Sequence, residues 1–258
     1  MSVNDNPIET PKPDWRELWR LAGNHAALDV FTEPLLELAV KHLADTATSG
    51  GTLLDVGCGR GRNAELFRRL GMDVTGIDLD ESSLASARQS YPLVKFQTGD
   101  IQALPFADET FDAVFSFSVL QYVDWPAAIR QCRRVLKPGG KAVFIENLRG
   151  NPIAMSYRLM HKIMGWRYGK YQTPKAHIDW KQLGEFSQVF SNVDIRTFHL
   201  TTPAALVWPA LRRHLLHKPF ELKSKFMYRG LQRIDDALLR HFSHLRKRCW
   251  LMAIMVTK

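Results

Sequence analysis

The sequence predicts a doubly wound α/β fold built on a mostly parallel sheet, and three observations carry that expectation. Short apolar runs alternate with helical segments of about ten residues between Thr52 and Glu146, the rhythm of βαβ units. The runs are continuously apolar, as strands covered on both faces are. A glycine-rich turn follows the first run directly, at the sheet edge where open α/β folds bind ligands.

Residues 1–13 read as a disordered tail, polar and Pro-rich, without the apolar stretch of a secretory signal. A first helix is expected from Asp14 to Ala22, with Trp15, Leu18 and Trp19 on one face, and a second from Glu33 to Thr46, with Leu35, Leu36, Ala39 and Leu43 on its buried side. Then the period changes. Thr52 to Val56 reads as a strand, Asn63 to Leu70 as a helix, Asp73 to Ile77 as a strand and Glu81 to Ser90 as a helix. Val94 to Gln97 and Phe111 to Phe117 are strands, and Trp125 to Leu136 is a helix stopped by the turn device Lys137-Pro138-Gly139-Gly140 before the strand Lys141 to Glu146. Beyond Asn147 the rhythm breaks. Residues 151–176 are basic and aromatic; Asp179 to Phe190 reads as a helix and Val193 to Phe198 as a strand. Residues 203–247 read as helical, with Leu231, Ile234, Leu238, Leu239, Phe242 and Leu245 on one stripe, and Trp250 to Val256 as a closing strand. One domain over residues 14–258 follows. It has N-terminal helices over 14–47, a core over 50–148, cap insertions at about 151–176 and 203–247, and a closing strand within 249–257.

Composition excludes several classes. The 258 residues are 45% apolar and 24% charged, too apolar for disorder, and the longest clean apolar run, Leu251 to Val256, is far too short to span a bilayer. Cys58, Cys132 and Cys249 are odd in number and scattered, so they form neither a disulfide framework nor a metal spacing, and no metal is expected. Reduced thiols suit a cytoplasmic chain. Charge is uneven: residues 1–150 carry 16 basic and 20 acidic side chains, residues 151–258 carry 19 and 6. Solubility explains a basic face; so does contact with something anionic, such as a phosphate-bearing substrate, a lipid surface or nucleic acid.

The chemistry concentrates in Leu54-Asp55-Val56-Gly57-Cys58-Gly59-Arg60-Gly61. Alternate glycines between a strand and a helix bring backbone close to a ligand and aim unpaired N–H groups at it. Two details argue against a dinucleotide. Its fingerprint needs a small residue where Arg62 stands. Asp55, just ahead of the first glycine, would repel a pyrophosphate and attract an ammonium group. Asp78, ending the second strand 21 residues after Gly57, suits ribose hydroxyls, and Asp100-Ile101 after the third strand offers an acceptor and an apolar face to an adenine ring. Together these describe a pocket for an adenosine carrying a cationic, amino-acid-like tail.

Five stretches carry a resemblance: Leu53 to Gly61, Gly76-Ile77-Asp78-Leu79-Asp80, Gly99 to Phe106, Phe111-Asp112-Ala113-Val114 and Leu136 to Gly140. In this order and spacing they resemble the class I S-adenosylmethionine-dependent methyltransferases, of the group typified by ubiquinone and other small-molecule methyltransferases. The resemblance covers residues 50–148 and implies a Rossmann-like, mostly parallel seven-stranded sheet with helical caps. It implies S-adenosyl-L-methionine as cofactor and S-adenosyl-L-homocysteine as product. It also implies that Asp55, Gly57, Cys58, Gly59 and Gly61 line the methionine moiety. Asp78 is implied to hold the ribose, with Leu79 against the adenine, and Asp100 and Ile101 to meet the adenine amino group and ring. Ser116 and Phe117 are placed beside the sulfonium. Where the family often has a His pair, this chain has Gln121 and Tyr122, and Gln121 is expected among the residues that line the cofactor. The ordinary readings are that Asp80 caps the next helix, that Asp100 caps a turn, and that Cys58 is a small packing residue.

Methyl transfer from a sulfonium is an in-line displacement, and a general base is needed only for a hydroxyl or protonated amine acceptor. His177 is the candidate base, with helix capping as its alternative; His25, Tyr157 and His161 are further candidates. Trp15 and Trp19 suit either a lid or ordinary packing. Arg149, Arg158 and Lys170 are candidate anion-binding residues. Ser116-Phe117-Ser118-Val119 stands where the wider superfamily carries Asp/Asn-Pro-Pro-Tyr for planar amines and glutamine amides. The preferred reading is O- or N-methylation of a small or amphiphilic, lipid-linked molecule, with transient contact to an anionic membrane surface. An RNA methyltransferase and a non-catalytic S-adenosylmethionine-binding module are the alternatives.

Overall fold

The computed structural model describes residues 14–21, 29–163, 177–206 and 225–258. Helices α1 (Trp15–Leu21), α2 (Asp29–His42) and α3 (Ala44–Thr48) lead into β1 (Thr52–Val56), α4 (Arg62–Arg69), β2 (Asp73–Asp78), α5 (Glu81–Ser90) and β3 (Lys95–Thr98). Next come β4 (Phe111–Phe117), α6 (Trp125–Val135), β5 (Leu136–Asn147), α7 (Pro152–Ile163), α8 (Gly184–Val189), β6 (Asn192–Phe198), α9 (Lys225–His241) and β7 (Leu251–Thr257). The seven strands form one sheet in the order β3-β2-β1-β4-β5-β7-β6. β7 runs antiparallel to both neighbours, and the pairings from β3 to β5 are parallel.

Every expected strand is present, and each face of the sheet has its own apolar layer. Successive β1 residues feed opposite faces, as the pleat requires. Leu54 and Val56 join Trp125, Ile129 and Val135 of α6 and Phe186 of α8. Leu53 joins Leu35, Leu36 and Ala39 of α2 and Leu66 and Phe67 of α4. Because chain order reverses between β1 and β4, the two connections that leave these strands part at a crevice, the topological switch point of an open α/β sheet.

The structure departs from the expected elements in four places. The helix expected from Glu33 to Thr46 starts at Asp29, and its tail past Leu43 is the separate α3. Lys137-Pro138-Gly139-Gly140 does not sit outside the strand: β5 starts at Leu136 and absorbs the turn as an irregularity, with Phe111 paired to Leu136 but Ala113 to Lys141. The helix expected from Asp179 to Phe190 divides into a 3₁₀ turn over Trp180–Gln182 and α8, the turn held by an Asp179–Gln182 capping box. The stripe expected across 231–245 holds only in part: Leu231, Leu238, Leu239 and Leu245 are half-buried, but Ile234 and Phe242 are about half exposed, while Asp235 is buried. Tyr228, Leu231, Gln232, Asp235, Leu238 and Leu239 form the inward side of α9. A periodicity count of apolar residues has no place for a buried aspartate, so it counted Ile234 and Phe242 in and left Asp235 out. The tail at 1–13, His25, Lys170 and parts of both cap insertions (164–176 and 207–224) lie outside the described residues, as do the side chains of Tyr157, Arg158 and His161.

Candidate functional site

The glycine loop leaves β1 at the switch point. Gly57, Gly59 and Gly61 all have left-handed backbone, with φ of +68°, +52° and +79°, which L side chains rarely adopt. Space separates their roles. A Cβ at Gly57 would overlap the Val119 side chain, and one at Gly61 would lie 2.5 Å from Phe96 Cζ, whereas one at Gly59 meets nothing within 4 Å. The first and third glycines therefore let the loop pack on its neighbours, and the second faces open space.

Asp78 ties the loop down. Its Oδ2 accepts the N–H of Gly59 at 2.8 Å and its Oδ1 the N–H of Asp80 at 2.9 Å, and it stays half-buried with further lone pairs on both oxygens. Leu79 beside it is 61% exposed, an apolar side chain held at the sheet edge. Asp80 caps α5, accepting from the Ser82 N–H and from the hydroxyls of Ser82 and Ser83. Asp100 caps the 3₁₀ turn that follows β3 through the N–H of Gln102 at 2.9 Å, with Ile101 buried behind it.

Asp55 sits beneath the loop rather than on its open side. It is 1% exposed and its Oδ2 has no hydrogen-bond partner. Burial, and then the nearby Asp78 carboxylate, lift it to about 8, against a backbone bond from Ala64. Such a group favours a cation in its vicinity. Cys58 is a packing residue in this structure: burial, then Asp55 and Asp78, push its thiol far above its ordinary value, the reverse of a nucleophile's environment.

The opposite wall is the turn that leaves β4. Ser116 is fully buried with an unpartnered hydroxyl and Phe117 is half-buried, so the hydroxyl nearer the edge belongs to Ser118. Ser118 has φ of +57°, a conformation costing about 1–3 kcal/mol for a residue with a side chain. Gln121 is buried; its Nε2 donates to Ser118 O at 3.3 Å, and its Oε1 accepts from Asn147 Nδ2 at 3.4 Å. His177 reaches the same edge along the chain. It precedes Ile178, which bridges in parallel to Leu148 just past β5, and Arg149 N–H donates to Ile178 O at 3.1 Å.

Sequence reasoning missed Phe96, Val119, Ser118, Asn147 and Glu146. Phe96 and Val119 read as ordinary strand and loop apolars, and only packing shows that they fill the space the glycines leave. Arg62, which argued against a dinucleotide, fastens the N-terminal helices: it pairs with Asp29 at 2.9 and 3.0 Å and lies 3.9 Å over the Trp19 ring. Trp19 is 6% exposed and packs as part of the helical layer.

This seven-stranded sheet has the α/β fold of solved S-adenosylmethionine-dependent methyltransferases. Residues 54–144 match the family described as "Methyltransferase domain". The chain is 41% identical over 107 residues to a malonyl-[acyl-carrier protein] O-methyltransferase of Erwinia pyrifoliae, covering 40% of this chain and 41% of that one. It is 38% identical over 139 residues to a ubiquinone biosynthesis O-methyltransferase of Alkalilimnicola ehrlichii, covering 52% and 54%. The chain thus spans about half the length of these relatives. Among solved structures, an S-adenosylmethionine dependent methyltransferase from Mesorhizobium loti superposes with a TM-score of 0.52 at 18% identity, covering 84% of this chain and 98% of that one; this likeness concerns the fold.

Proposed function

We propose that this protein transfers a methyl group from S-adenosyl-L-methionine to an oxygen or nitrogen of a small or amphiphilic acceptor. One observation supports the reading: a loop of three left-handed glycines leaves the backbone of Gly59 facing open space beside Asp78, above the buried Asp55, whose Oδ2 has no hydrogen-bond partner. The residues fit the cofactor. Asp78 would hold the ribose while still anchoring Gly59, Leu79 and Ile101 would flank the adenine with Asp100 at its amino group, and the Gly57–Gly61 backbone would follow the methionine tail. Asp55, which burial favours in its neutral form in the free protein, would ionise against the ammonium and so answer its charge from below. The bound cofactor supplies a methyl on a positively charged sulfur, itself an excellent leaving group. The chain's work is then to hold acceptor and methyl in line, with the turn Ser118–Gln121 as the wall beside the reacting atoms. His177 would take the proton of a hydroxyl acceptor.

The remainder of the chain, with cap segments around 151–176 and 203–247, would complete one domain and select the acceptor. Exposed Met227, Ile234 and Phe242 beside exposed Arg229, Arg233 and Arg240 on and after α9 support transient docking of a cytoplasmic protein on an anionic membrane. Among the described residues no helix is long and apolar enough to cross one, and no group of three or more His, Cys, Asp or Glu suits a metal.

Titration calorimetry with S-adenosylmethionine and S-adenosylhomocysteine tests the reading, and absence of heat with folded protein overturns it. Asp78→Ala should weaken binding by about 1.5–3 kcal/mol, the worth of a charge-assisted bond; unchanged affinity would move the ribose elsewhere. His177→Ala should lose most of the rate with cofactor affinity kept. Flotation with anionic liposomes at low salt decides the membrane contact.

A further inference from the structure

One buried carboxylate has no role in the reading above. Glu146 is fully buried, and its Oε1 accepts N–H bonds from both Val119 and Leu120 at 2.8 Å. Its Oε2 is sealed without a hydrogen-bond partner. Burial lifts this carboxyl to about 7 against those backbone bonds, so placing it here carries a desolvation cost that an apolar side chain would avoid. What the acid secures is the left-handed turn after β4. Ser118 N–H donates to Ile145 O at 2.7 Å. Asn147 Nδ2 reaches Ser118 Oγ at 3.3 Å and Gln121 Oε1 at 3.4 Å. The Val119 side chain occupies the space that a Cβ on Gly57 would need. Three consecutive residues at the end of β5 thus clamp the whole turn, and the turn clamps the first glycine.

We propose that Glu146 is a positioning residue that fixes the Ser118–Gln121 turn against Gly57 and so sets the wall beside which methyl and acceptor meet. What that wall faces rests on the proposed cofactor reading; the clamp itself does not.

Two variants test it. Glu146→Gln keeps an oxygen for both amides, and Glu146→Leu removes the acceptor at similar volume. Hydrogen exchange at the Val119 and Leu120 amides should stay slow in wild type and in Glu146→Gln. In Glu146→Leu it should accelerate by about tenfold or more while β1 and β7 remain protected. Affinity for S-adenosylhomocysteine should be kept within about threefold by Glu146→Gln and fall about tenfold or more in Glu146→Leu. Unchanged exchange in Glu146→Leu, or loss of protection in a folded Glu146→Gln, overturns the clamp. Wild-type affinity in Glu146→Leu overturns the link to the cleft. If Glu146→Leu does not fold, Val119→Ala takes its place: the amide bonds stay, the packing on Gly57 goes, and binding should weaken by about threefold or more, with unchanged affinity overturning that link. Wild-type protein that gives no heat with S-adenosylhomocysteine overturns the cofactor reading alone, and exchange still decides the clamp.

Discussion

Around the glycine loop, Asp55 and Glu146 are each buried with one oxygen that has no hydrogen-bond partner. In the C-terminal half, Asp235 is buried to nearly the same degree, yet both its oxygens are engaged. Oδ1 accepts from the N–H and hydroxyl of Thr201, and Oδ2 from the N–H groups of Leu200 and Thr202 and the hydroxyl of Thr202. That knot holds the 3₁₀ turn after β6 on α9. It is continued by His199, whose ring nitrogens lie 3.0 Å from Thr202 Oγ1 and 2.6 Å from Phe31 O and whose burial lowers it to about 4. A satisfied buried acid joins elements. An unsatisfied one carries an energetic cost that burial alone does not explain, and here both unsatisfied acids flank the crevice at the sheet's switch point.

The comparison can be broken in order of effect. Asp235→Ala would strand five donors, so urea unfolding should show a loss of about 3–5 kcal/mol while cofactor affinity of the folded fraction is kept; a small loss would show that the knot is not holding α9. Gly57→Ala forces a side chain into left-handed backbone and into Val119, and should cost about 2–5 kcal/mol and abolish binding, by melting and calorimetry. The pH dependence has a definite sign. Asp55 is raised from an ordinary carboxylate value to about 8 and Glu146 to about 7. Their contributions are therefore complete below about pH 4 and are lost as pH rises through those values. Stability of the ligand-free protein should fall by several kcal/mol, at most about 1.4 kcal/mol per unit for each group, from about pH 4 to 8. Asp55→Asn should flatten the upper part of that fall, and a flat wild-type profile contradicts the burial of these acids. At the small end, Ile234→Ser should change stability by less than about 0.5 kcal/mol, since the side chain is half exposed; a loss several times larger would restore the apolar stripe expected from periodicity.

Much of the core was legible before the structure. Strand positions agreed within a residue or two from Thr52 to Phe117, and Asp80 and Cys58 proved to be the cap and the packing residue that their neighbours suggested. Both signals are local: apolar runs set strands, and a short acid before Ser82 and Ser83 sets a cap. Asp100 is a helix cap in the structure as well as an expected adenine contact, since its carboxylate serves Gln102 without leaving the sheet edge. Legibility fails at Ile234, Phe242, Glu146 and Ser118, whose roles depend on residues more than twenty positions away or on backbone sign.

The amino-acid order alone therefore determined the βαβ rhythm, the three glycines and the separate carboxylates that mark one ligand edge, because these arise from contacts within a few residues. Only the folded sheet decided which face of α9 turns inward, that Asp55 lies under the loop, and that Glu146 reaches Val119 and Leu120. The last depends on strands β4 and β5 lying side by side, the first on Asp235 meeting the turn after β6, and all three on the cost of burying charge, which no stretch of sequence expresses by itself.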